Sequence, residues 1–272
     1  MSRAQLREPR RKNKRSINTL LNAARRQAVT ARSRIFSPDK NVIILQIMTD
    51  EKMIISAIQF KTSEDHDSNL NKAYSMAKSA KKKGASLVAF PEFFSHNWFV
   101  NKPKRNTKFR DDTLEQRKEL TKSLGLFAVI SYYEATGGKT FNTTVLLNPK
   151  GDVIGKYRKN HLPNLAGFYE REWYKEGDLG LPVFQTDIGK IGILVCSDVM
   201  FPACAHILFL KGAEIIVIPR ATLKKARNRW NRILVANSII TGSYILSPNR
   251  LDVYDDMEFD GHSMIIEPGG NV

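Results

Sequence analysis

Three residues of this 272-residue chain have the type and setting to do chemistry together: Cys196, Glu92 and Lys159. Cys196 ends the apolar run Lys190-Ile-Gly-Ile-Leu-Val-Cys196, and the turn-prone Ser197-Asp198-Val199-Met200-Phe201-Pro202 follows. The run reads as a buried strand that stops at the thiol, and open α/β sheets present their chemistry just past strand C-termini. A thiol there is a nucleophile if its neighbours make it a thiolate; otherwise it is a small buried hydrophobe. Glu92 follows the strand-like Ala85-Ser-Leu-Val-Ala-Phe90 and Pro91, between Phe90 and the pair Phe93-Phe94. A carboxylate among apolar neighbours is desolvated and becomes a candidate general base near neutral pH; the plain alternative is a solvated loop acid or a helix N-cap. Lys159 lies in Gly155-Lys-Tyr-Arg-Lys159-Asn-His161-Leu-Pro163. Alternation along an extended segment puts Lys156 and Arg158 on one face, as exposed basic-loop residues, and turns Tyr157 and Lys159 inward. An inward ammonium needs acidic partners, and Glu92 can supply one.

Taken in order, Phe90-Pro91-Glu92, Lys156-Tyr-Arg-Lys159-Asn-His161-Leu-Pro163 and Cys196-Ser-Asp198-Val-Met-Phe201-Pro202 resemble the nitrilase superfamily of carbon–nitrogen hydrolases. Flanking segments resemble it too: Gly212-Ala-Glu-Ile-Ile-Val-Ile-Pro219, Arg229-Trp230, Ala236-Asn237 and Gly261-His-Ser263. The resemblance runs from about Met53 to the last residue. It implies an α/β fold, an α-β-β-α sandwich of two mixed sheets covered by helices. It implies a Glu92–Lys159–Cys196 catalytic triad that needs no metal or organic cofactor. Glu92 takes the proton of Cys196, and the thiolate attacks an amide or ureido carbonyl. Lys159 and the backbone N–H of Ser197 stabilise the oxyanion, such fixed donors contributing about 3 kcal/mol each. The resemblance also places a second glutamate near the lysine. Glu170 in Phe168-Tyr-Glu170-Arg-Glu172-Trp173 matches best, with Glu172, two residues on, as a surface acid.

Ser197-Asp198 stands where nitrile-cleaving relatives carry Trp-Glu, which favours C(=O)–N over C≡N hydrolysis. The substrate expected is a small linear amide or N-carbamoyl compound; a nitrile, or a catalytically silent binding or assembly role, are the alternatives. Arg220, after Val217-Ile-Pro219, falls at a strand end where a guanidinium can hold a substrate carboxylate or pair with a structural acid. Two departures from the family pattern stand out. Phe201-Pro202-Ala203 lacks the glutamate many relatives carry, which weakens a local ion pair or reshapes a helix start. The chain also stops at Ile265-Ile-Glu-Pro268-Gly-Gly-Asn-Val272, so the hydrolase domain, residues 41–272, is read as missing its C-terminal part and leaving a sheet edge exposed.

The elements that must position these residues alternate β and α. Strands are expected at 53–60, 87–90, 127–133, 143–147, 153–157, 215–218 and 243–246. Helices are expected at 69–83, 113–123 and around Cys204 and Arg232, with a basic loop at 102–112 near the site mouth. Gly137-Gly-Lys-Thr140 is a turn rather than a phosphate loop, because Tyr133 holds the position of the first glycine. His161 orients the Lys159 loop, with a catalytic role as the alternative, and His66, His96, His206 and His262 show no metal-ligand spacing.

The net charge is +16, yet residues 1–40 hold twelve Lys and Arg against Glu8 and Asp39, so ten of the sixteen charges sit there. This basic arm reads as disordered; contact with nucleic acid or an anionic surface, a basic amphipathic helix over 17–36, and an organellar transit peptide stay open beside that reading. Val42-Ile-Ile-Leu-Gln-Ile-Met48 is too short to span a membrane and reads as an extra strand. Two cysteines give no disulfide framework, and a thiol nucleophile fits a reducing cytoplasm. The partners expected are a small-molecule substrate and further copies of the chain, as a homodimer or higher homo-oligomer.

Overall fold

A computed structural model describes residues 42–48, 52–96, 98, 100 and 114–272. The basic arm and the 102–112 loop lie outside these. The first sheet has six strands in sequence order: β1 (Val42–Met48), β2 (Lys52–Ile58), β3 (Ala85–Ala89), β4 (Phe127–Thr136), β5 (Lys139–Leu147) and β6 (Val153–Arg158). The extra strand is β1, which pairs antiparallel with β2. The middle pairs β2–β3 and β3–β4 are parallel and the outer pairs antiparallel, so the sheet is mixed. The Gly137-Gly138 turn joins β4 to β5, with Thr136 facing Lys139 and both glycines at positive φ.

Helix α1 (His66–Lys82) covers this sheet with α2 (Leu114–Leu124). It begins three residues before the expected Asn69 because the Asp65 side chain accepts from Ser68 N and caps it. Asn69, Ala73, Ala77 and Ala80, at helical spacing, are its buried face, and alanines let the helix lie close. The sheet sorts its side chains by parity. Val88 and Phe90 pack with Ala73, Ala77 and Ala80, whereas Leu87 and Ala89 turn to the opposite face.

Beyond β6 come a small hairpin, β7 (Asn164–Leu165) with β8 (Phe168–Tyr169), and one turn of helix, α3 (Glu170–Trp173). The second sheet follows: β9 (Val183–Thr186) and β10 (Gly189–Ile193), then α4 (Pro202–Leu210), β11 (Ile215–Val217), α5 (Arg227–Thr241) and β12 (Tyr244–Ser247). A satellite hairpin, β13 (Leu251–Tyr254) with β14 (Met257–Asp260), precedes the last strand, β15 (Met264–Ile266). The order is β15-β12-β11-β10-β9, again parallel in the middle and antiparallel at both ends. Ala203, where the family pattern has an acid, is exposed in the first turn of α4, which Pro202 opens.

One apolar cluster joins the two sheets and runs on to the helices over the second. Ile55, Ala57, Leu87, Val129, Leu146 and Tyr157 contribute from the first sheet, Ile191, Ile193, Ile216 and Leu246 from the second, and Leu208 and Leu234 from α4 and α5. Gly155 marks a close approach: a Cβ there would meet the Phe184 ring at 2.7 Å. The layers are therefore helix, sheet, sheet, helix, the α-β-β-α sandwich expected. Among the described residues no helix is long and apolar enough to cross a membrane.

Candidate active site

The strand before the thiol stops short of it. Strand β10 ends at Ile193, and the extended chain continues through Leu194 N–H to Val217 O (3.1 Å) and Cys196 N–H to Pro219 O (2.9 Å). A 3₁₀ turn then spans Cys196–Met200. Cys196 holds a left-handed φ of 45°, rare for a residue with a Cβ. The turn persists because Asp198 ties it from within. Its Oδ2 accepts from Val195 N–H (3.1 Å) and Tyr157 OH (2.7 Å), and its Oδ1 accepts from His161 N–H (2.9 Å) and lies 2.9 Å from His161 Nδ1. Ser197 Oγ donates to His161 O at 2.5 Å. Asp198 and Ser197 thus lock the nucleophile turn to the loop that carries Lys159, and His161 orients that loop, as expected.

Lys159 stands one residue past β6, and the predicted alternation holds. Tyr157 and Lys159 are buried on one face; Lys156 and Arg158 leave on the other. The second pair is not an exposed basic loop. Lys156 Nζ and Arg158 Nε donate to the two oxygens of Glu134 on β4, at 2.7 and 2.8 Å, and Arg158 also reaches Asp178 at 2.8 Å. The Lys159 ammonium is shared by two buried carboxylates, 2.9 Å from Glu92 Oε1 and 2.7 and 2.8 Å from the two oxygens of Glu170. Glu172 is exposed, so the register places Glu170 at the lysine. Burial works against the charged form of Lys159, but Glu170 and Glu92 outweigh it and hold the ammonium well above the ordinary lysine range. Glu170 is pushed up to about 7 by burial, against the pull of Lys159 and with Glu92 adding to the rise.

Glu92, like Cys196, sits three residues beyond a central strand, after β3 ends at Ala89. Its setting was only partly readable. The flanking Phe90 and Phe94 stack on each other (4.7 Å) in the outer cluster under α1, and Phe93 turns the other way at φ 49°. Polar residues far along the chain hold this turn. Phe93 N–H donates to Ser131 Oγ (2.8 Å), and buried Arg250 donates to the carbonyls of Phe93 (2.7 Å) and His96 (2.9 Å) and pairs with Asp252. Asn142 on β5 donates its Nδ2 to Glu92 Oε1 (2.7 Å), and its carbonyl accepts from Lys159 N–H (2.9 Å). With Oε1 taken by Asn142 and Lys159, Glu92 Oε2 is left buried and unpartnered among the described residues. Asn142 and Arg250 gave no signal in the sequence: an Asn on a strand and an Arg before one fit many surfaces.

Cys196 is 5% exposed, and with Ser197 it lines a cavity of about 270 Å³. Burial first, then the charge of Glu92, push its thiol up from the ordinary cysteine value, while Lys159 pulls down and Glu170 adds to the rise. The sulfur therefore rests as a thiol, under the direct influence of both carboxylates and the ammonium. Arg220 is not among the cavity-lining residues. It is 2% exposed; Nε donates to Ser247 Oγ (3.0 Å), Nη2 to His262 O (2.6 Å) and Nη1 to Thr222 Oγ1. These acceptors are neutral, not the structural acid expected, and burial pushes its pKa down to about 10. Among the described residues no group of three or more His, Cys, Asp or Glu is placed to hold a metal ion.

Comparison with known proteins identifies the family and the fold. The chain is 27% identical over 239 residues to N-carbamoylputrescine amidase of Solanum lycopersicum, covering 80% of each chain. It is 27% identical over 236 residues to citrullinase of Francisella tularensis, covering 80% of this chain and 82% of that one. It is 30% identical over 231 residues to omega-amidase NIT2 of Xenopus tropicalis, covering 81% and 83%. The fold superposes on a carbon-nitrogen hydrolase from Helicobacter pylori G27 with a TM-score of 0.74 at 25% identity, covering 80% and 82%. The carbon-nitrogen hydrolase family model matches residues 33–272. The chain therefore belongs to the carbon–nitrogen hydrolases of the nitrilase superfamily, and it is a hydrolase of the amidase type.

Proposed function

We propose that the chain hydrolyses the C–N bond of a small linear amide or N-carbamoyl compound through a thioester on Cys196. The observation that carries this reading is the shared ammonium: Lys159 held by Glu92 and Glu170, with all three charges acting on one thiol at a cavity wall. Because the thiol rests protonated, attack requires a base at the moment of reaction, and Glu92 Oε2 is the oxygen with no other partner among the described residues. It accepts the thiol proton as sulfur bonds to the carbonyl carbon. The oxyanion is stabilised by the Lys159 ammonium and the Ser197 N–H. The tetrahedral adduct collapses, the C–N bond breaks, and Glu92 returns the proton to the leaving nitrogen, releasing ammonia or an amine. Water then gives its proton to Glu92 and its oxygen to the thioester carbon, and the acid leaves as the thiol re-forms. Glu170 holds Lys159 and positions the substrate. A homodimer or higher homo-oligomer in a reducing, cytoplasmic setting belongs to the same reading, since an oxidised Cys196 cannot attack.

The test is ammonia release from a panel of amides, ureido compounds and nitriles by the unaltered chain, Cys196→Ala and Glu92→Gln. Each variant is expected to lose on the order of a thousandfold or more in kcat with its fold intact. Mass spectrometry of the unaltered chain with substrate should show an adduct on Cys196 and none on Cys204. Turnover retained by either variant removes the assigned chemistry.

A further inference from the structure

Among the described residues, the charged side chains that line the cavity beside Cys196 are of one sign. Its lining is largely apolar, with Leu165, Phe168, Met200 and Trp230 among the contributors, and its only charged members among the described residues are Lys225 and Arg229. No Asp or Glu lines it among the described residues. The neighbouring cations are already neutralised. Lys224 meets Glu258 at 2.7 Å, and Arg227 pairs with Asp260, both acids belonging to β14. Lys225 and Arg229 are exposed, and among the described residues neither pairs with an acid. They are four residues apart, where the 3₁₀ turn Lys224–Ala226 runs into α5.

Resting on the hydrolase reading, we propose that Lys225 and Arg229 select the substrate: a short linear amide or ureido acid whose far end is a carboxylate. An anionic end would form charge-assisted hydrogen bonds with a guanidinium and an ammonium that pair with no acid among the described residues. A cationic end, such as the free amine of N-carbamoylputrescine, would meet two like charges. The apolar lining that the thiol and this pair share suits a short methylene chain, and about 270 Å³ lies at the small end of ligand sites. This pair takes the role that Arg220, bound to Ser247, Thr222 and the His262 carbonyl, does not offer.

The experiment uses matched amides of opposite terminal charge, glutaramate and 4-aminobutanamide, with the corresponding ureido pair, 4-ureidobutyrate and N-carbamoylputrescine. The measured quantity is kcat/KM for ammonia release. The carboxylates are expected to be preferred by roughly a hundredfold, which is about tenfold for each charge that attracts one end and repels the other. Lys225→Gln with Arg229→Gln should remove most of that preference by raising KM for the carboxylates while kcat stays within about twofold, since neither side chain touches the reacting atoms. Lys224→Gln, which removes a cation already paired to Glu258, should leave the ratio unchanged. A preference for the amine-ended compounds, or a ratio unmoved in the double variant, overturns the inference and leaves the Cys196 chemistry standing. No ammonia and no Cys196 adduct from any of the four sinks the hydrolase reading itself.

Discussion

Lys156 and Arg158 leave one face of β6 while Tyr157 and Lys159 leave the other, and the two faces treat the same pairing of carboxylate and cation in opposite ways. On the first, two cations converge on Glu134. Burial alone would raise that carboxyl, but hydrogen bonds from Arg158, Lys156 and Thr143 outweigh it and hold Glu134 down at about 2. On the second, one ammonium serves two carboxylates in full burial, and Glu170 is pushed up to about 7. An excess of cations gives a permanently ionised strut. An excess of acids around one buried cation gives a group that can hold or release a proton near neutral pH, which is what acid–base chemistry requires.

The comparison breaks most visibly at the lysines. Lys159→Met should destabilise the fold by about 3–5 kcal/mol in urea unfolding, because it leaves two carboxylates buried without their cation, and it should abolish turnover. Lys156→Met, on a side chain 36% exposed, should cost about 1 kcal/mol or less and leave kcat nearly unchanged. Equal losses would mean the faces do not differ. Next in size is Gly155→Ala, which drives a methyl into the Phe184 ring between the sheets; about 1–3 kcal/mol is expected, and a neutral result would show that the sheets are free to separate there. Tyr157→Phe removes the hydroxyl that donates to Asp198 and should cost about 1 kcal/mol, with a drop in kcat if the nucleophile turn loosens.

The pH dependences run in opposite directions. Glu134 has a folded value depressed below its ordinary 4.5, so its contribution to stability is complete above 4.5 and is lost as pH falls towards 2. Acid unfolding of Glu134→Gln should therefore differ in shape from that of the unaltered chain only below about pH 4.5. Glu170 is raised, so the folded state binds its proton more tightly than the unfolded state, and the stability it contributes declines as pH climbs from 4.5 to about 7. Glu170→Gln should flatten that decline and change the limb of the kcat/KM profile near pH 7. A profile identical to that of the unaltered chain would remove Glu170 from the proton inventory.

Much of this contrast could be read from order along the chain. A period of two on β6 separated Lys159 from Lys156 and Arg158, and apolar runs ending in Glu92 and Cys196 pointed to strand ends. These are local signals, set by backbone geometry whatever lies opposite. The short pieces were not legible. Strand β9 is four residues at a sheet edge, and β13 and β14 alternate apolar residues with Asp252, Glu258 and Asp260 over only four residues each, too short a run to announce a strand. The strand before Cys196 reads longer than it is, because an apolar run continues through Leu194 and Val195 after the ladder has stopped.

The sequence by itself determined which side chains could do the chemistry and that they lie near strand ends, because residue type and periodicity are local properties. The tertiary structure decided which oxygen of Glu92 is free, that Glu170 and not Glu172 meets the ammonium, and that Lys156 and Arg158 are struts. It also recruited Asn142, 50 residues from Glu92, and Arg250, 157 residues from Phe93, to hold the site. Those outcomes depend on charges and hydrogen-bond partners brought together by the packing of two sheets, and at such separations nothing in the local pattern of a chain records who the partner is.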